Sequence, residues 1–402
     1  MNTKRIFIAA LALSCAAAQA IVPGVLTTQW PWVAKIGPST SNLNTTATAV
    51  GDHWVLTARH VVSGNPQMQF VLDNGTRYDS VAIFPHPTDD IALVQFAESF
   101  PGWYRLHFNQ PAQGSLMEIV GYGRTGTFNG STWAWVVEYG NKRRGRNTYS
   151  TTMVLTTGQI LGTYMVADFD GNGVDTYGDG GPVTDEATFG AGDSGGPALI
   201  QESGEWKVAG VNVFIGAVQG GPNAPQYGSI LGSARVSTYR PWIDSIMPRE
   251  VRPTTLTPVR WNLVNGNLAS LFMPDDNRIT AQPAIVFTTA QAPVEFIISA
   301  TSPTLTTTRL AFAYEGSASS SGIHAKIELF NFSSGAYETV SNQACTTADS
   351  IIETVITSNP DRFIQDNTGE VRTRISARAM APVFSLPWNY RVDRAVWNIK
   401  IP

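Results

Sequence analysis

Hydrophobic and polar positions in the first part of the chain form short, strand-like runs. Between Ile21 and about Met247, apolar stretches alternate with clusters of glycine, proline, asparagine and aspartate. Trp54–Thr57, Ile91–Val94 and Met117–Gly121 are examples of such runs. Many short strands separated by regular turn signals predict an all-β barrel or sandwich.

One segment of this part, Val236–Met247, has helical spacing instead. Its apolar residues recur at intervals of three and four positions: Tyr239, Trp242, Ile243 and Ile246. This spacing places them on one face of a helix. Pro241 lies near the start of the segment, where a helix tolerates proline. A helix is therefore predicted to close the first domain, residues 21–247.

The pattern changes after this predicted helix. Residues 248–258 contain three prolines and several threonines without apolar periodicity, which predicts a linker. From there to the end, apolar and polar residues alternate, as in Ala325–Leu329 and Val371–Arg378. Strands with one buried and one exposed face predict an antiparallel, jelly-roll-like β-sandwich over residues 259–402.

The N-terminus has the features of an export signal. Lys4 and Arg5 precede the apolar run Ile6–Leu13, and Ala18–Ala20 supplies a small-x-small cleavage site. The apolar run is too short to span a bilayer. Residues 1–20 are therefore expected to be a signal peptide, and the protein is expected to be secreted into the extracellular space or the periplasm.

Two alternatives remain open for this segment: a buried N-terminal strand or helix, and lipid attachment at Cys15. If Cys15 leaves with the signal, the mature chain keeps only Cys345 and forms no internal disulfide. Such an exported protein relies on its packed cores. Cys345 is expected to be a small buried or half-buried side chain.

Composition agrees with an extracellular, β-rich protein. The chain has 402 residues, of which 43% are hydrophobic and 14% are charged, and its net charge is −4. That length predicts two or three domains. The weak net charge gives no electrostatic basis for a nucleic-acid partner or an anionic membrane surface. No further segment predicts membrane insertion.

The segment Gly192–Pro197 carries the strongest chemical signal. It reads Gly-Asp-Ser-Gly-Gly-Pro and places Ser194 between glycines. The glycines permit a tight turn in which two amide N–H groups converge beside the serine hydroxyl. This arrangement suits a nucleophile that attacks a carbonyl carbon. Such a serine needs a base, usually a histidine, which is held in place by a third group.

Two further motifs supply the base and the orienting acid. His60 ends a Thr-Ala-Arg-His sequence after an apolar strand, and Asp90 opens an Asp-Ile-Ala-Leu sequence before another. Together with the Ser194 hexapeptide, these motifs resemble those of the chymotrypsin/trypsin-like serine peptidase family, in its bacterial secreted branch. The departure is Arg59, where the family has alanine. The resemblance covers about residues 21–247 and implies a double β-barrel.

The resemblance also implies roles for single residues. Ser194 attacks the scissile carbonyl, His60 transfers the proton, and Asp90 orients the imidazole. The N–H groups of Gly192 and Ser194 form the oxyanion hole. Asp89 is the alternative carboxylate, although a shift of one residue turns it to the other face of an extended segment.

In the same family, the aspartate before the nucleophile pairs with a new N-terminal amine. Asp193 occupies that position in this sequence. Signal cleavage after Ala20 leaves Ile21 at the front of the mature chain. We therefore expect export to expose the amine of Ile21, which then pairs with Asp193 as an N-terminal anchor.

Specificity is expected to differ from that of trypsin. Thr188, six residues before the nucleophile, stands where a trypsin-type enzyme has aspartate. Val213 and Ile215 stand where the family usually has serine and glycine. The expected preference is a small or medium apolar residue before the cut, unless the loop with Asp185 and Glu186 folds into the pocket.

One acidic loop resembles a calcium-binding sequence. Asp168–Gly173 offers oxygen ligands at alternating positions and a glycine at the sixth, and Asp175 follows. Asp179 stands at the twelfth position in place of glutamate, and no flanking helices are evident. The alternative is an acidic turn between strands, because aspartate, asparagine and glycine are ordinary turn residues. No other metal or cofactor is expected.

The C-terminal domain carries no nucleophile motif. Its aromatic residues Trp388, Tyr390 and Trp397 suit either stacking on sugars or burial in a core or interface. Contact with polysaccharide or a cell surface, assistance in folding, and contact with substrate remain open as roles for this domain.

The function expected from these observations is that of a secreted serine endopeptidase that acts on protein or peptide substrates through an acyl-enzyme. An inactive peptidase scaffold that binds a surface or a polysaccharide is one alternative. An acyl transferase that uses the same three residues is another.

Overall fold

The computed structural model describes residues 21–135, 140–158, 160–380 and 386–402. The chain forms two compact units, which divide between Ile243 and Asp244. It is nearly all β, with 48% strand and 6% helix, so the prediction of an all-β protein is confirmed. The expectations for residues 1–20, including the signal peptide and Cys15, lie outside the described residues.

The strands of the first unit are β1 Val25–Leu26, β2 Val33–Gly37, β3 Thr45–Gly51, β4 Trp54–Thr57, β5 Gln69–Val71, β6 Arg77–Pro85, β7 Ala92–Phe96, β8 Arg105–Leu106, β9 Leu116–Gly121, β10 Gly126–Phe128, β11 Trp133–Trp135, β12 Arg143–Thr148, β13 Thr151–Leu155, β14 Gly162–Asp168, β15 Pro197–Glu202, β16 Glu205–Gly216 and β17 Ile230–Arg235. Its helices are α1 Arg59–Val62, a 3₁₀ turn Val236–Tyr239, and α2 Arg240–Ile246, which ends in the second unit.

The first barrel closes in the strand order β2-β3-β4-β7-β6-β5. Its interior contains the rings of Phe70, Phe96 and Phe100, whose centroids lie 5.3–6.0 Å apart. Every residue of Trp54–Thr57 is buried, which agrees with the apolar run that predicts this strand. A well-packed barrel therefore fixes the end of β4, from which the chain continues into α1.

The second sheet also closes on itself, through one bent strand. β12 pairs with β9, and β13 pairs with β14. Only Tyr149 and Ser150 separate β12 from β13. The Tyr149 N–H donates to the Ser115 carbonyl at 2.9 Å, and the Ser150 N–H donates to the Val166 carbonyl at 3.0 Å. The bent strand thus joins both edges of the β9-β15-β16-β17-β14 sheet into a second barrel.

The predicted closing helix is present. The 3₁₀ turn Val236–Tyr239 leads directly into α2. Pro241 lies in the first turn of α2, where its missing N–H removes no helical hydrogen bond. Tyr239 and Ile243 are buried, as the apolar spacing predicts.

The strands of the second unit are β18 Arg249–Val251, β19 Thr255–Arg260, β20 Asn262–Asn265, β21 Ile279–Gln282, β22 Val294–Thr301, β23 Leu310–Ala318, β24 Ile323–Asn331, β25 Ala336–Ala344, β26 Ser350–Ile356, β27 Glu370–Ala379 and β28 Tyr390–Ile399. Two 3₁₀ turns, Leu268–Leu271 and Pro360–Phe363, complete it.

This unit is a sandwich of two antiparallel sheets. One has the order β20-β21-β28-β23-β26, with β18 also on β28, and the other has the order β19-β22-β27-β24-β25. Along β22 buried and half-buried residues alternate. Phe296 and Ile327 of one sheet join Phe312 and Trp397 of the other in a single core. The alternation that predicts a sandwich therefore reflects the two inner faces.

The segment 248–258, expected to be a linker, belongs to the sandwich instead. β18 pairs with β28, and β19 pairs with the edge of β22. The buried side chain of Val251 and the half-buried side chain of Leu256 join the core. Pro258 lies on an edge strand next to a register shift, a position at which a strand accommodates proline. The prolines of this segment therefore predict a linker where the chain in fact forms two short strands, β18 and β19.

The aromatic residues considered for sugar binding are core residues. Trp388, Tyr390 and Trp397 are at most 3% exposed, so their faces are not open to a sugar. Cys345 is half-buried against the same core, and burial raises the pKa of its thiol to about 11. Within the described ranges, no helix has the length and apolar character that crossing a membrane requires.

Candidate active site

His60 lies on the one-turn helix that follows β4. Val61 and Val62 of this turn are buried and fix it against the first barrel. The His60 side chain remains 29% exposed, whereas Asp90 is only 4% exposed. A partly exposed imidazole beside a buried carboxylate has one edge free to meet a substrate.

Asp90 holds His60 at two points. Its Oδ2 lies 2.7 Å from His60 Nδ1, and its Oδ1 accepts the backbone N–H of His60 at 2.9 Å. The Asp90 N–H donates to the Leu161 carbonyl at 3.0 Å, which ties the carboxylate to the second barrel. A proton on Nδ1 that faces the carboxylate leaves Nε2 as the acceptor. This geometry suits a base that takes up a proton on Nε2.

The neighbouring carboxylate, Asp89, has different partners. Its Oδ2 accepts the Tyr239 hydroxyl at 2.9 Å, and its N–H donates to His86 Nδ1 at 3.0 Å. Both residues lie in a bend, in which the Ile91 N–H donates to the Asp89 carbonyl at 2.9 Å. Of the two candidates, Asp90 is therefore the one that binds His60.

The turn that carries Ser194 packs against the end of β4. Gly192 and Gly195 have φ values of +95° and +84°, which glycine adopts without strain. A Cβ on Gly195 would lie 2.0 Å from Thr57 Oγ1 and 3.2 Å from the Ala58 nitrogen. This close approach of backbone to backbone places the half-buried Ser194 and His60 on facing segments.

Thr46 of β3 anchors the same turn and was not found from the sequence. Its N–H donates to the Ser194 carbonyl at 3.2 Å, and its hydroxyl donates to the Gly192 carbonyl at 2.9 Å. The hydroxyl oxygen also accepts the Tyr122 N–H at 3.1 Å. A threonine in a strand looks like an ordinary β-former. The sequence therefore contains no signal for this contact between the two barrels.

Asp193, next to the nucleophile, is completely buried. Its two oxygens accept the N–H groups of Gly123 at 3.0 Å and Gly190 at 2.7 Å. Burial raises the pKa of this carboxyl well above its usual range, and the two backbone hydrogen bonds oppose that rise. A Cβ on Gly121 would lie 1.9 Å from Asp193 Oδ1, so the site requires glycine there.

Ile21 is also completely buried, in the core of the second barrel. The adjacent Val22 exchanges two backbone hydrogen bonds with Thr188, at 2.9 and 2.7 Å. Residues 21–22 therefore run beside the segment that leads to Ser194. The structure brings the predicted N-terminal residues and the predicted pocket residue into one region.

The predicted pocket residues carry no charge. Thr188 is fully buried, and its hydroxyl oxygen has no hydrogen-bond partner among the described residues. Val213 lies at a register shift of β16, between Asn212 and Phe214. Val213 is buried, and Ile215 is half-buried against the core of the second barrel.

Asp185 and Glu186, the acidic residues that could give the pocket a negative charge, have other partners. Asp185 Oδ2 accepts Arg144 Nη2 at 2.9 Å. Glu186 accepts the Val183 N–H at 3.1 Å and the Asp170 N–H at 3.4 Å. The Asp185 carboxylate therefore holds this loop to β12, and the Glu186 carboxylate holds it to the residues after β14.

Comparison with known proteins agrees with this architecture. The family model Trypsin matches residues 24–243, which is more than half of the chain. No curated protein matches the sequence. The matched region contains both barrels, the His60–Asp90 pair and the Ser194 turn. The chain therefore belongs to the trypsin family of serine peptidases.

Proposed function

We propose that the protein is a secreted serine endopeptidase that uses His60, Asp90 and Ser194. The observation that carries this proposal is the two-point contact between Asp90 and His60, at 2.7 and 2.9 Å. The Ser194 turn packs on the strand end that leads to this pair. A base, its orienting acid and a nucleophile are thus available on facing segments.

In the proposed mechanism, Ser194 Oγ attacks the scissile carbonyl carbon while His60 Nε2 accepts its proton. Asp90 stabilises the resulting imidazolium. The C–N bond then breaks, and His60 delivers the proton to the leaving amine. Water attacks the acyl-enzyme with His60 again as the base, which releases the carboxylic acid and restores Ser194. Backbone N–H groups of Gly192 and Ser194 stabilise the oxyanion, at about 3 kcal/mol for each donor.

The proposed specificity is for a small or medium apolar residue before the scissile bond. Thr188 places no negative charge at the pocket base, and Asp185 is paired with Arg144. In the proposed pocket, the branched side chains of Val213 and Ile215 would leave less space for a substrate side chain than the serine and glycine that are usual in the family. A neutral, narrow pocket disfavours the long cationic side chains of lysine and arginine.

A peptide library tests both the reaction and this preference. The wild-type protein is expected to cleave after apolar residues of the size of alanine to leucine, and the Ser194→Ala variant is expected to leave the same library intact. Strong preference for arginine would contradict the proposed pocket but not the peptidase activity. Turnover of ester substrates without any peptide cleavage would instead favour acyl transfer.

We further propose that export frees the amine of Ile21 to pair with Asp193. The burial of both residues supports this pairing, because a buried carboxylate is stabilised by a cationic partner. A mature chain that keeps one extra residue before Ile21 is expected to lose about 100-fold in kcat/KM, comparable to the loss of one oxyanion donor. Circular dichroism of both proteins controls for folding. Edman sequencing of a fully active secreted protein that starts elsewhere would refute the pairing.

A further inference from the structure

The chain after β14 folds into a tight hairpin. Gly171 and Val174 exchange two backbone hydrogen bonds, at 3.1 and 3.0 Å. Between them, Asn172 and Gly173 have φ values of +52° and +78°. Two consecutive residues with positive φ are what a two-residue type I′ turn requires. Strand β14 and the residues after the turn therefore run antiparallel at close range.

This hairpin gathers three carboxylates. Asp168 and Asp170 are two residues apart and lie on the same side of the extended backbone. Asp170 and Asp175 directly flank the turn and face each other across it. One carboxylate oxygen from each lies within 4.8 Å of the others.

The arrangement differs from the helix-flanked calcium loop that the sequence resembles. Asn172, the fifth position of that pattern, is exposed at the tip of the turn, and Asp179, the twelfth, is not among the three carboxylates that converge. Asp175 supplies the third oxygen of the cluster. The backbone turn, and not the sequence spacing of a helix-flanked calcium loop, determines which carboxylates converge.

Asp170 gives the independent indication of a ligand. It is 4% exposed, and its Oδ1 has no hydrogen-bond partner within the described parts of the chain. Asp168 is 1% exposed and lies within reach of it. A buried carboxylate with an unpartnered oxygen beside another carboxylate is unfavourable unless a cation or a shared proton lies between the two groups.

We propose that Asp168, Asp170 and Asp175 bind a calcium ion. Calcium prefers carboxylate and carbonyl oxygens and accepts six to eight of them in irregular geometry, about 2.3–2.6 Å from the ion. Magnesium demands a regular octahedron, which three carboxylates on a hairpin do not impose. The Asp170 N–H donates to Glu186, so the ion fixes the segment that leads to Thr188 and the nucleophile turn.

A second acidic cluster in the other unit provides a matched control. Asp276, Asp349 and Asp393 also lie within ligand distance of one another, and the buried Asp393 likewise has an Oδ1 without a hydrogen-bond partner among the described residues. Arg278 forms ion pairs with Asp276 and Asp349, the latter at 3.0 Å. A guanidinium already supplies the positive charge there, so we expect no calcium at this cluster.

Calorimetric titration of the full mature chain tests the site. The Ser194→Ala protein is used, so that self-cleavage and the proposed peptidase activity do not enter the result. After chelator treatment, calcium chloride is expected to bind at one site with a Kd at or below about 1 mM, as in extracellular calcium modules. Magnesium chloride is expected to bind at least about tenfold more weakly. Asp170→Asn is expected to weaken calcium binding by at least about tenfold, and Asp349→Asn to leave it unchanged.

Thermal unfolding shows whether a variant has simply lost its fold. In EDTA, Asp170→Asn should unfold no earlier than its parent, because one of the repelling charges is gone. Added calcium should raise the Tm of the parent and of Asp349→Asn but not that of Asp170→Asn. Absence of binding in the parent, full affinity in Asp170→Asn, loss in Asp349→Asn, or equal binding of magnesium would each overturn the proposal.

Discussion

Replacing Ser194 with alanine is expected to lower kcat on a peptide substrate by about 10⁶-fold, since removal of a triad serine abolishes the covalent route. The residual rate comes from substrate binding and the oxyanion hole. Steady-state hydrolysis of a fluorogenic peptide measures the effect.

The fold of the Ser194→Ala variant is expected to persist, because the Ser194 side chain is half-buried and the turn is held through backbone contacts with Thr46. Its Tm should therefore match that of the wild type. A properly folded variant that keeps more than a small fraction of wild-type activity would exclude Ser194 as the nucleophile.

Replacing Asp90 with asparagine is expected to cost about 10⁴-fold in kcat, because the amide favours the wrong tautomer of the base. The asparagine N–H₂ group would donate to Nδ1 of His60, which then leaves the proton on Nε2, where no proton from Ser194 can be accepted. The measurement is kcat for a peptide substrate.

Asp89→Asn is the matched control for this change. It removes the same charge one residue away, but Asp89 binds Tyr239 and His86 instead of His60. Its loss in kcat is expected to stay below about tenfold, the scale of one ordinary hydrogen bond. Equal losses in the two variants would mean that Asp90 acts through general electrostatics or stability and not by orienting His60.

The fold and the chemical motifs are readable from the sequence for identifiable reasons. Strand alternation, as in Val371–Arg378, reports burial on one face, and the helix Arg240–Ile246 shows its apolar face directly. The residues around His60, Asp90 and Ser194 form short contiguous motifs. Information of this kind is local and therefore visible without a structure.

What the sequence does not show depends on contacts between distant segments. Thr46 binds the carbonyl of Gly192 across a separation of 146 residues, and nothing in its neighbours indicates this. The proline-rich segment 248–258 forms β18 and β19 because it pairs with strands β28 and β22. Asp175 joins the acidic cluster through a two-residue turn, whereas linear spacing favours Asp179. In each case tertiary pairing overrides the local pattern.

Labelling with a fluorophosphonate probe tests the central claim most directly. The probe phosphonylates an activated serine Oγ with loss of fluoride, so intact-mass spectrometry counts the reacted sites. We predict one adduct on the wild-type protein, none on Ser194→Ala, and much slower labelling of Asp90→Asn. A folded wild-type protein that fails to react, or a Ser194→Ala variant that reacts equally, would contradict the proposed catalytic triad.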